Sequence, residues 1–334
     1  TAARRGQLHQ MLDQEAAAGS VCDWSYQANT AEAAYNLIDR AILEFQTHRP
    51  RSKHIQVPIA QLEGLADPAP RRPVGLAEAV GAYSADLRPL AEELSKASKP
   101  LFVIGGGAAE AGADIASVLE ACGAACFETY AGRGIVPWDY PFNFGAALAR
   151  PSSAQIVAQA DCVVAIGTEL AEVDLWRAHL GHLCPLYRID IDPECLADTQ
   201  RAELAILARA EEAMASLRSL MADSRSQWQA GSVADQRELW RGEIAAERPG
   251  IIAIAEALHA VIPDDAMIYS DMTQFAYVAN EIWPMTRAKH WHHPSGFGTL
   301  GYALPAAIGG AVARPGKPTL AIAGDYGFQY SVQE

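Results

Sequence analysis

At 334 residues the chain exceeds what one ordinary hydrophobic core organises, so two or three domains are expected, and with half of its residues apolar it has ample material to bury. A net charge of −14 argues against non-specific binding to nucleic acid or to an anionic membrane, because neither a phosphate backbone nor a charged leaflet attracts an acidic surface. No run of about 18 apolar residues is present to span a bilayer, the opening Thr1-Ala2-Ala3-Arg4-Arg5-Gly6 lacks the apolar stretch of a signal peptide, and six cysteines without a C-x-x-C pair read as core residues in a reducing cytoplasm.

The first segment, residues 1–66, predicts a helix capped by Thr30, with Ala34, Leu37, Ile38, Ala41, Ile42 and Phe45 at helical spacing, and then a short strand over residues 54–59. One helix and one strand cannot bury their own apolar faces, so this segment is expected to complete a domain that begins upstream of Thr1. Residues 67–75 include Pro68, Pro70 and Pro73 and read as a connector, since proline removes backbone donors and favours extended chain.

Between residues 76 and 224, apolar runs alternate with helical stretches. The runs at Pro100–Ile104, 125–129, Cys162–Ile166 and 186–191 predict a parallel sheet covered on both faces, an α/β architecture. Gly105, Gly106 and Gly107 follow one strand and Gly167 another. Glycines there let backbone amides approach a phosphate at a helix N-terminus, and they serve tight turns equally well; no complete G-x-G-x-x-G is present. Asp190, in Asp190-Ile191-Asp192-Pro193, suits either a ribose hydroxyl or a turn. FAD or another nucleotide therefore stays open as a ligand of this segment.

Residues 225–334 follow the polar Ser224-Arg225-Ser226 and predict a helix near 251–260 and strands at 266–270 and 319–323. The run Ser295-Gly296-Phe297-Gly298-Thr299-Leu300-Gly301-Tyr302-Ala303-Leu304-Pro305 couples a glycine-rich turn to an alanine-rich helix, and Gly324-Asp325-Tyr326-Gly327-Phe328 follows the last strand. An Asp directly after a strand stands where loops line the ligand crevice of an α/β protein, a usual place for a metal ligand.

These two runs resemble the diphosphate-binding domain of thiamine-diphosphate enzymes, in the family of acetolactate synthase and the 2-oxo-acid decarboxylases. Ser270-Asp271-Met272-Thr273-Gln274 is similar to that family's diphosphate-contacting stretch, and Gly132-Arg133-Gly134-Ile135-Val136-Pro137 to its central-domain G-[KR]-G-x-[FIV]-P run. The family's metal motif begins Gly-Asp-Gly and ends in Asn-Asn; here Tyr326 replaces the second Gly, and the Asn pair is expected beyond Glu334. Arg5-Gly6-Gln7-Leu8-His9 with Asp13-Gln14 is similar to 5-guanidino-2-oxopentanoate decarboxylase-like members.

The resemblance implies a three-domain α/β architecture of parallel sheets flanked by helices. Residues 1–66 would end a pyrimidine-binding domain, 76–224 form a Rossmann-like central domain, and 225–334 begin the diphosphate-binding domain. It implies thiamine diphosphate and Mg²⁺, with Gln274, Gly298, Thr299, Leu300, Gly324, Asp325 and Tyr326 at the cofactor, Asp325 as metal ligand, and Leu300 as the apolar wedge beneath the folded cofactor. The catalytic Glu is expected upstream of Thr1, so the chain alone is expected to be inactive, and the cofactor is expected between subunits of a homodimer or homotetramer. The implied reaction is decarboxylation of a 2-oxo acid, 5-guanidino-2-oxopentanoate decarboxylase-like. The alternatives are an acetolactate synthase-type carboligase and, from another class, a non-thiamine nucleotide- or flavin-binding module. His290, His292 and His293 alternate along an extended segment and so point apart, which favours a loop near the substrate entrance over a metal site. Glu169, Glu172 and Asp174 read as a solvated or helix-capping face.

Overall fold

The computed structural model describes residues 11–68 and 86–333, and the chain divides into two compact units, Thr1–Gly81 and Ala82–Glu334. The stretch Arg5 to His9 and most of the predicted connector lie outside the described residues.

In the first unit, Asp13 caps α1 (Gln14–Gly19), and β1 (Trp24–Gln27) pairs in parallel with β2 (Lys53–Gln56) across α2 (Ala31–Thr47). Thr30 caps α2 as expected, its hydroxyl accepting from Ala33 N at 3.0 Å. The strand expected over 54–59 ends earlier, because Pro58 lacks an amide donor and instead opens the short α3 (Ile59–Leu62). Ala41 is buried, whereas Ile38, Ile42 and Phe45 are 47%, 41% and 44% exposed, so α2 keeps an apolar face uncovered within this unit.

The second unit begins its described part with α4 (Arg88–Lys96) and a five-stranded, all-parallel sheet. Its strands are β3 (Pro100–Ile104), β4 (Ala125–Glu128), β5 (Cys162–Ile166), β6 (Leu186–Asp190) and β7 (Leu204–Leu207), ordered β4-β3-β5-β6-β7. The connecting helices are α5 (Gly112–Cys122), α6 (Ser153–Val157), α7 (Glu172–Leu175) and α8 (Pro193–Leu196), with α9 (Ala210–Leu220) after the sheet. Successive side chains of a strand point to opposite faces. On one face Phe102 and Ile104 pack with Ile115, Leu119, Met214 and Leu217; on the other Leu101 and Val103 pack with Phe144, Leu148 and Trp240. Burial on both faces explains why these strands read as unbroken apolar runs, and each such side chain contributes roughly 1.5–3 kcal/mol by leaving water.

The chain continues through α10 (Ala230–Glu247), α11 (Ile251–His259), β8 (Met267–Ser270), α12 (Gln274–Ile282), β9 (Trp291–His292), α13 (Ala303–Ala313), β10 (Thr319–Ile322) and α14 (Asp325–Tyr330). Here the sheet is parallel in the order β10-β8-β9, with Ile268, Trp283, Met285 and Trp291 forming its core. Two buried arginines tie the sheets together. Arg133, in the loop after β4, donates to Ala279 O at 3.3 Å and Asn280 Oδ1 at 2.8 Å, with its guanidinium 4.8 Å from the Trp291 ring. Arg150 donates to Glu281 at 2.9 Å and to Glu247 at 2.7 Å.

Candidate active site

Asp271, the residue after β8, is fully buried and receives three backbone amides: Gly301 N at 3.0 Å, Tyr302 N at 2.9 Å and Ala303 N at 2.8 Å. A carboxylate at the start of α13 satisfies donors that no helical carbonyl reaches and meets the positive end of the helix dipole. The third loop packs on the same group, since a Cβ on Gly327 would lie 2.2 Å from Asp271 Oδ2. Gly301 has φ +82° and stands so close to α14 that a Cβ would meet Tyr330 Cβ at 2.9 Å, so both its conformation and its space demand glycine. The loops after β8 and β10 and the turn before α13 thus converge on one carboxylate. The sequence points to Asp271 only as part of a stretch, because an Asp after a strand is equally common in solvated turns.

The expected cofactor residues sit on these loops. Gly298 has φ +63°, and Thr299 and Leu300 follow it on the exposed outer side of the turn, Leu300 at 45% exposure. Gly324 caps α14, and Asp325 opens that helix as an exposed carboxylate. Tyr326 lies within α14 with no left-handed backbone and is 68% exposed, so the glycine that the family motif carries there is not needed by the backbone. Gln274 starts α12 and is drawn aside, its Oε1 accepting from Arg248 Nε at 2.8 Å.

Among the described residues no group of three or more His, Cys, Asp or Glu could hold a metal ion. Asp325 presents one exposed carboxylate, and Mg²⁺ is a cation commonly held by one or two carboxylates together with phosphate oxygens rather than by an all-protein cage. A Cβ built on Gly324 or Gly296 would meet nothing within 4 Å, so the backbone beside Asp325 and at the start of the glycine-rich turn has open space around it. Residues and space fit a diphosphate–metal group.

A cavity of about 490 Å³ opens beside this turn, with Met272, His293, Tyr277, Tyr130 and Trp176 among its lining residues. Met272 links it to the turn, its Cε lying 3.4 Å from a Cβ built on Gly298. Ser270 Oγ accepts from Trp291 Nε1 at 2.8 Å and stands in hydrogen-bond contact with His293 Nδ1 at 2.9 Å, which fixes the imidazole ring against β8. Burial, and then the nearby Arg133, push the His293 pKa below its ordinary value. His292 instead stacks on Tyr269 with ring centres 5.0 Å apart, so neighbouring histidines of this segment do point apart.

In the five-stranded sheet, the glycine turns after β3 and β5 pack closely on one another. A Cβ on Gly105 would lie 2.1 Å from Gly167 O, one on Gly107 would lie 3.0 Å from Gly167 Cα, and one on Gly106 would lie 2.9 Å from Ala131 Cβ. Gly107 N donates to Gly167 O at 3.1 Å. The close approach of the two turns leaves no space for a Cβ at these positions, which is the packing that the tight-turn alternative expects. Asp190 is buried and accepts from Asp192 N at 2.9 Å, the geometry of a turn. The acidic trio divides as well: Glu172 is exposed at the start of α7, but Asp174 is half-buried, and its partial burial raises its pKa to about 6.

The family model for the thiamine pyrophosphate enzyme central domain matches residues 87–217, and that for the C-terminal TPP binding domain matches residues 271–334, beginning at Asp271. The chain is 36% identical to the probable 2-ketoarginine decarboxylase AruI of Pseudomonas aeruginosa over 98% of this chain and 59% of that protein. It is 27% identical to acetolactate synthase isozyme 1 large subunit of Escherichia coli, over 74% of this chain and 45% of that protein. It is also 27% identical to pyruvate oxidase of Lactiplantibacillus plantarum, over 73% of this chain and 42% of that protein. The chain spans less than two thirds of the length of each of these relatives.

Proposed function

Since the chain belongs to the thiamine pyrophosphate enzyme family, we propose that the complete protein uses thiamine diphosphate with Mg²⁺ to decarboxylate a 2-oxo acid, in the manner of a 5-guanidino-2-oxopentanoate decarboxylase. The observation that carries this reading is the convergence of three loops on Asp271, which leaves Asp325, Thr299 and Leu300 exposed together on the loops at one end of the sheet. The substrate class is supported by the 2-ketoarginine decarboxylase relative, matched over nearly the whole chain. Acetolactate synthase relatives at lower identity support a carboligase as the second reading.

When bound, thiamine diphosphate supplies the electron sink that a decarboxylation needs. Asp325 would hold Mg²⁺ against the phosphate oxygens. Thr299 would donate its hydroxyl to the diphosphate, while Asp271 holds the turn that presents Thr299 in a fixed place. Leu300, too exposed to be a core residue of this chain, would brace the rings of the cofactor in the geometry that brings reacting atoms together. His293, its pKa lowered first by burial, offers a polar imidazole at the cavity wall. Phe297, Phe328 and Tyr330 stand exposed around this region, which supports assembly of the site between two subunits of a cytoplasmic homo-oligomer.

The test is carbon dioxide release from 5-guanidino-2-oxopentanoate by the complete protein with thiamine diphosphate and Mg²⁺, beside calorimetry of cofactor binding. Asp325→Ala should weaken Mg²⁺-dependent cofactor binding by about tenfold or more. Unchanged affinity would reduce Asp325 to a turn residue.

A further inference from the structure

The charged residues that line the cavity beside Met272 pair among themselves: Arg150 reaches Glu247 at 2.7 Å and Glu281 at 2.9 Å, and Arg248 reaches Glu247 at 3.4 Å. Polar recognition there falls to neutral groups, and two of these are oriented by one arginine. Arg133 is 5% exposed and stands behind the cavity wall. Its guanidinium donates to three neutral oxygens: Tyr130 O at 3.0 Å, Ala279 O at 3.3 Å and Asn280 Oδ1 at 2.8 Å. Asn280, near the end of α12, is 1% exposed and yet lines the cavity. Arg133 takes its oxygen, and its Nδ2 donates to no acceptor among the described residues. Nor is Nδ2 one of the sealed atoms that lack a partner, so the little surface that Asn280 keeps is at this nitrogen. A cation on the carbonyl oxygen polarises an amide and strengthens its N–H groups as donors. What this buried donor lacks is an acceptor, and leaving it unmet is costly.

The same guanidinium acts a second time through an aromatic ring. It lies 4.8 Å from the Trp291 ring; Trp291 Nε1 donates to Ser270 Oγ at 2.8 Å, and that hydroxyl contacts His293 Nδ1 at 2.9 Å. His293 also lines the cavity, and its Nε2 has no partner among the described residues. Arg133 thus orients an amide directly and an imidazole through two side chains, and each keeps one nitrogen for a ligand. Two nitrogens backed by a guanidinium that has only neutral hydrogen-bond partners suit an anionic oxygen acceptor. The cavity meets the Gly298 turn through Met272, which places that acceptor beside the expected cofactor.

We propose that Asn280 Nδ2 and His293 Nε2 receive the carboxylate of the 2-oxo acid, and that Arg133 is the positioning residue for both. This assignment rests on the decarboxylase reading for the identity of the anion. It is tested by binding, in the complete protein with Mg²⁺ and thiamine thiazolone diphosphate, a cofactor analogue that cannot turn over. Calorimetry compares 2-oxohexanoate with 2-hexanone, which share a carbonyl and a chain but differ in the carboxylate. The acid should bind the wild type more tightly. Asn280→Asp keeps an oxygen for Arg133, so it should melt no lower than the wild type, but it replaces the donor by a negative charge and should remove about 10- to 100-fold of the preference. His293→Phe, which leaves Asn280 untouched, should remove about threefold.

Equal affinity of the two probes for the wild type, or a wild-type preference in either variant, overturns the assignment. So does an Asn280→Asp protein that loses affinity for the cofactor analogue while keeping the preference, since the amide would then serve the diphosphate. A preference lost in Asn280→Asp, in a protein whose holoenzyme releases no carbon dioxide from any 2-oxo acid, upholds the carboxylate site and sinks the decarboxylase reading. Carbon dioxide release from 5-guanidino-2-oxopentanoate with the same KM in wild type and Asn280→Asp does the reverse.

Discussion

Asp271→Ala would remove the one group on which three loops converge. The lost contacts are three amide bonds of 2.8 to 3.0 Å to a carboxylate that no water reaches. A hydrogen bond to a charged group contributes about 1.5–3 kcal/mol, and loss of a helix cap alone costs roughly 0.5–2 kcal/mol. The three bonds share one acceptor group, so they overlap rather than add, and the expected loss is roughly 3–5 kcal/mol. At about 2–4 °C per kcal/mol for a chain of this size, the melting temperature should drop by roughly 6–20 °C. Asp271→Asn should lose less, because Tyr302 and Ala303 both donate to Oδ1, which an amide oxygen can replace, while only Gly301 donates to Oδ2. Circular dichroism melts of the two variants beside the wild type give the answer. If Asp271→Ala melted within about 2 °C of the wild type, the carboxylate would not be what locks the loops.

Gly327→Ala should mimic this loss, since the new methyl would strike Asp271 Oδ2, and a wild-type urea midpoint for that variant would contradict the packing. Leu300→Ala should change stability by less than about 1 kcal/mol, because the side chain is half exposed, yet slow hydrogen–deuterium exchange at C2 of bound cofactor in the complete enzyme; a lowered melting point with unchanged exchange would make Leu300 a core residue instead. Tyr326→Gly should cost about 1 kcal/mol of helix propensity and leave Mg²⁺-dependent cofactor binding as it was, by calorimetry. Stability should fall as pH rises. Burial lifts Glu128 to about 7, against the pull of the Val136 and Ile135 amides and Asn143, so the folded protein keeps a proton that the unfolded chain has released above 4.5. The contribution is complete below that value and is lost by about pH 7, on the order of 3 kcal/mol in all, and Asp174, raised to about 6, adds in the same direction. Melts between about pH 5 and pH 8 should show the decline in the wild type and a flatter profile in Glu128→Gln; a rising profile would contradict the sign.

The strands buried on both faces were the most legible elements. Pro100–Ile104 and Cys162–Ile166 coincide with their apolar runs because nothing but packing decides them. β1, β7 and β9 escape the reading, since a four-residue strand such as Trp24-Ser25-Tyr26-Gln27 is half polar and β9 has only two residues. α10 escapes it too: of its 18 residues only Val233, Trp240 and Ile244 are buried, too few to print a stripe. At the site, the motif residues announce themselves by composition, but what fixes them does not. Asp271 matters through three amides more than twenty-five positions away, which no local spacing records. The glycines at 105–107 are ambiguous in sequence for a related reason: the same residue type admits a phosphate or another stretch of backbone, and the close approach of Gly167 to Gly105 and Gly107 appears only in the folded chain.

The arginine that joins the two sheets sets a rule for recombining this protein with its relatives. A chimaera that took its central sheet from one parent and its C-terminal sheet from another would cut the link between Arg133 and the Asn280–Trp291 pair, although all three residues lie far from any crossover in the linker around 221–229. A parent with lysine at the position of Arg133 would bring a point charge without the fork that spans Ala279 O and Asn280 Oδ1 together. Position 133 and positions 280 and 291 therefore behave as one inherited unit, to be exchanged together or left alone.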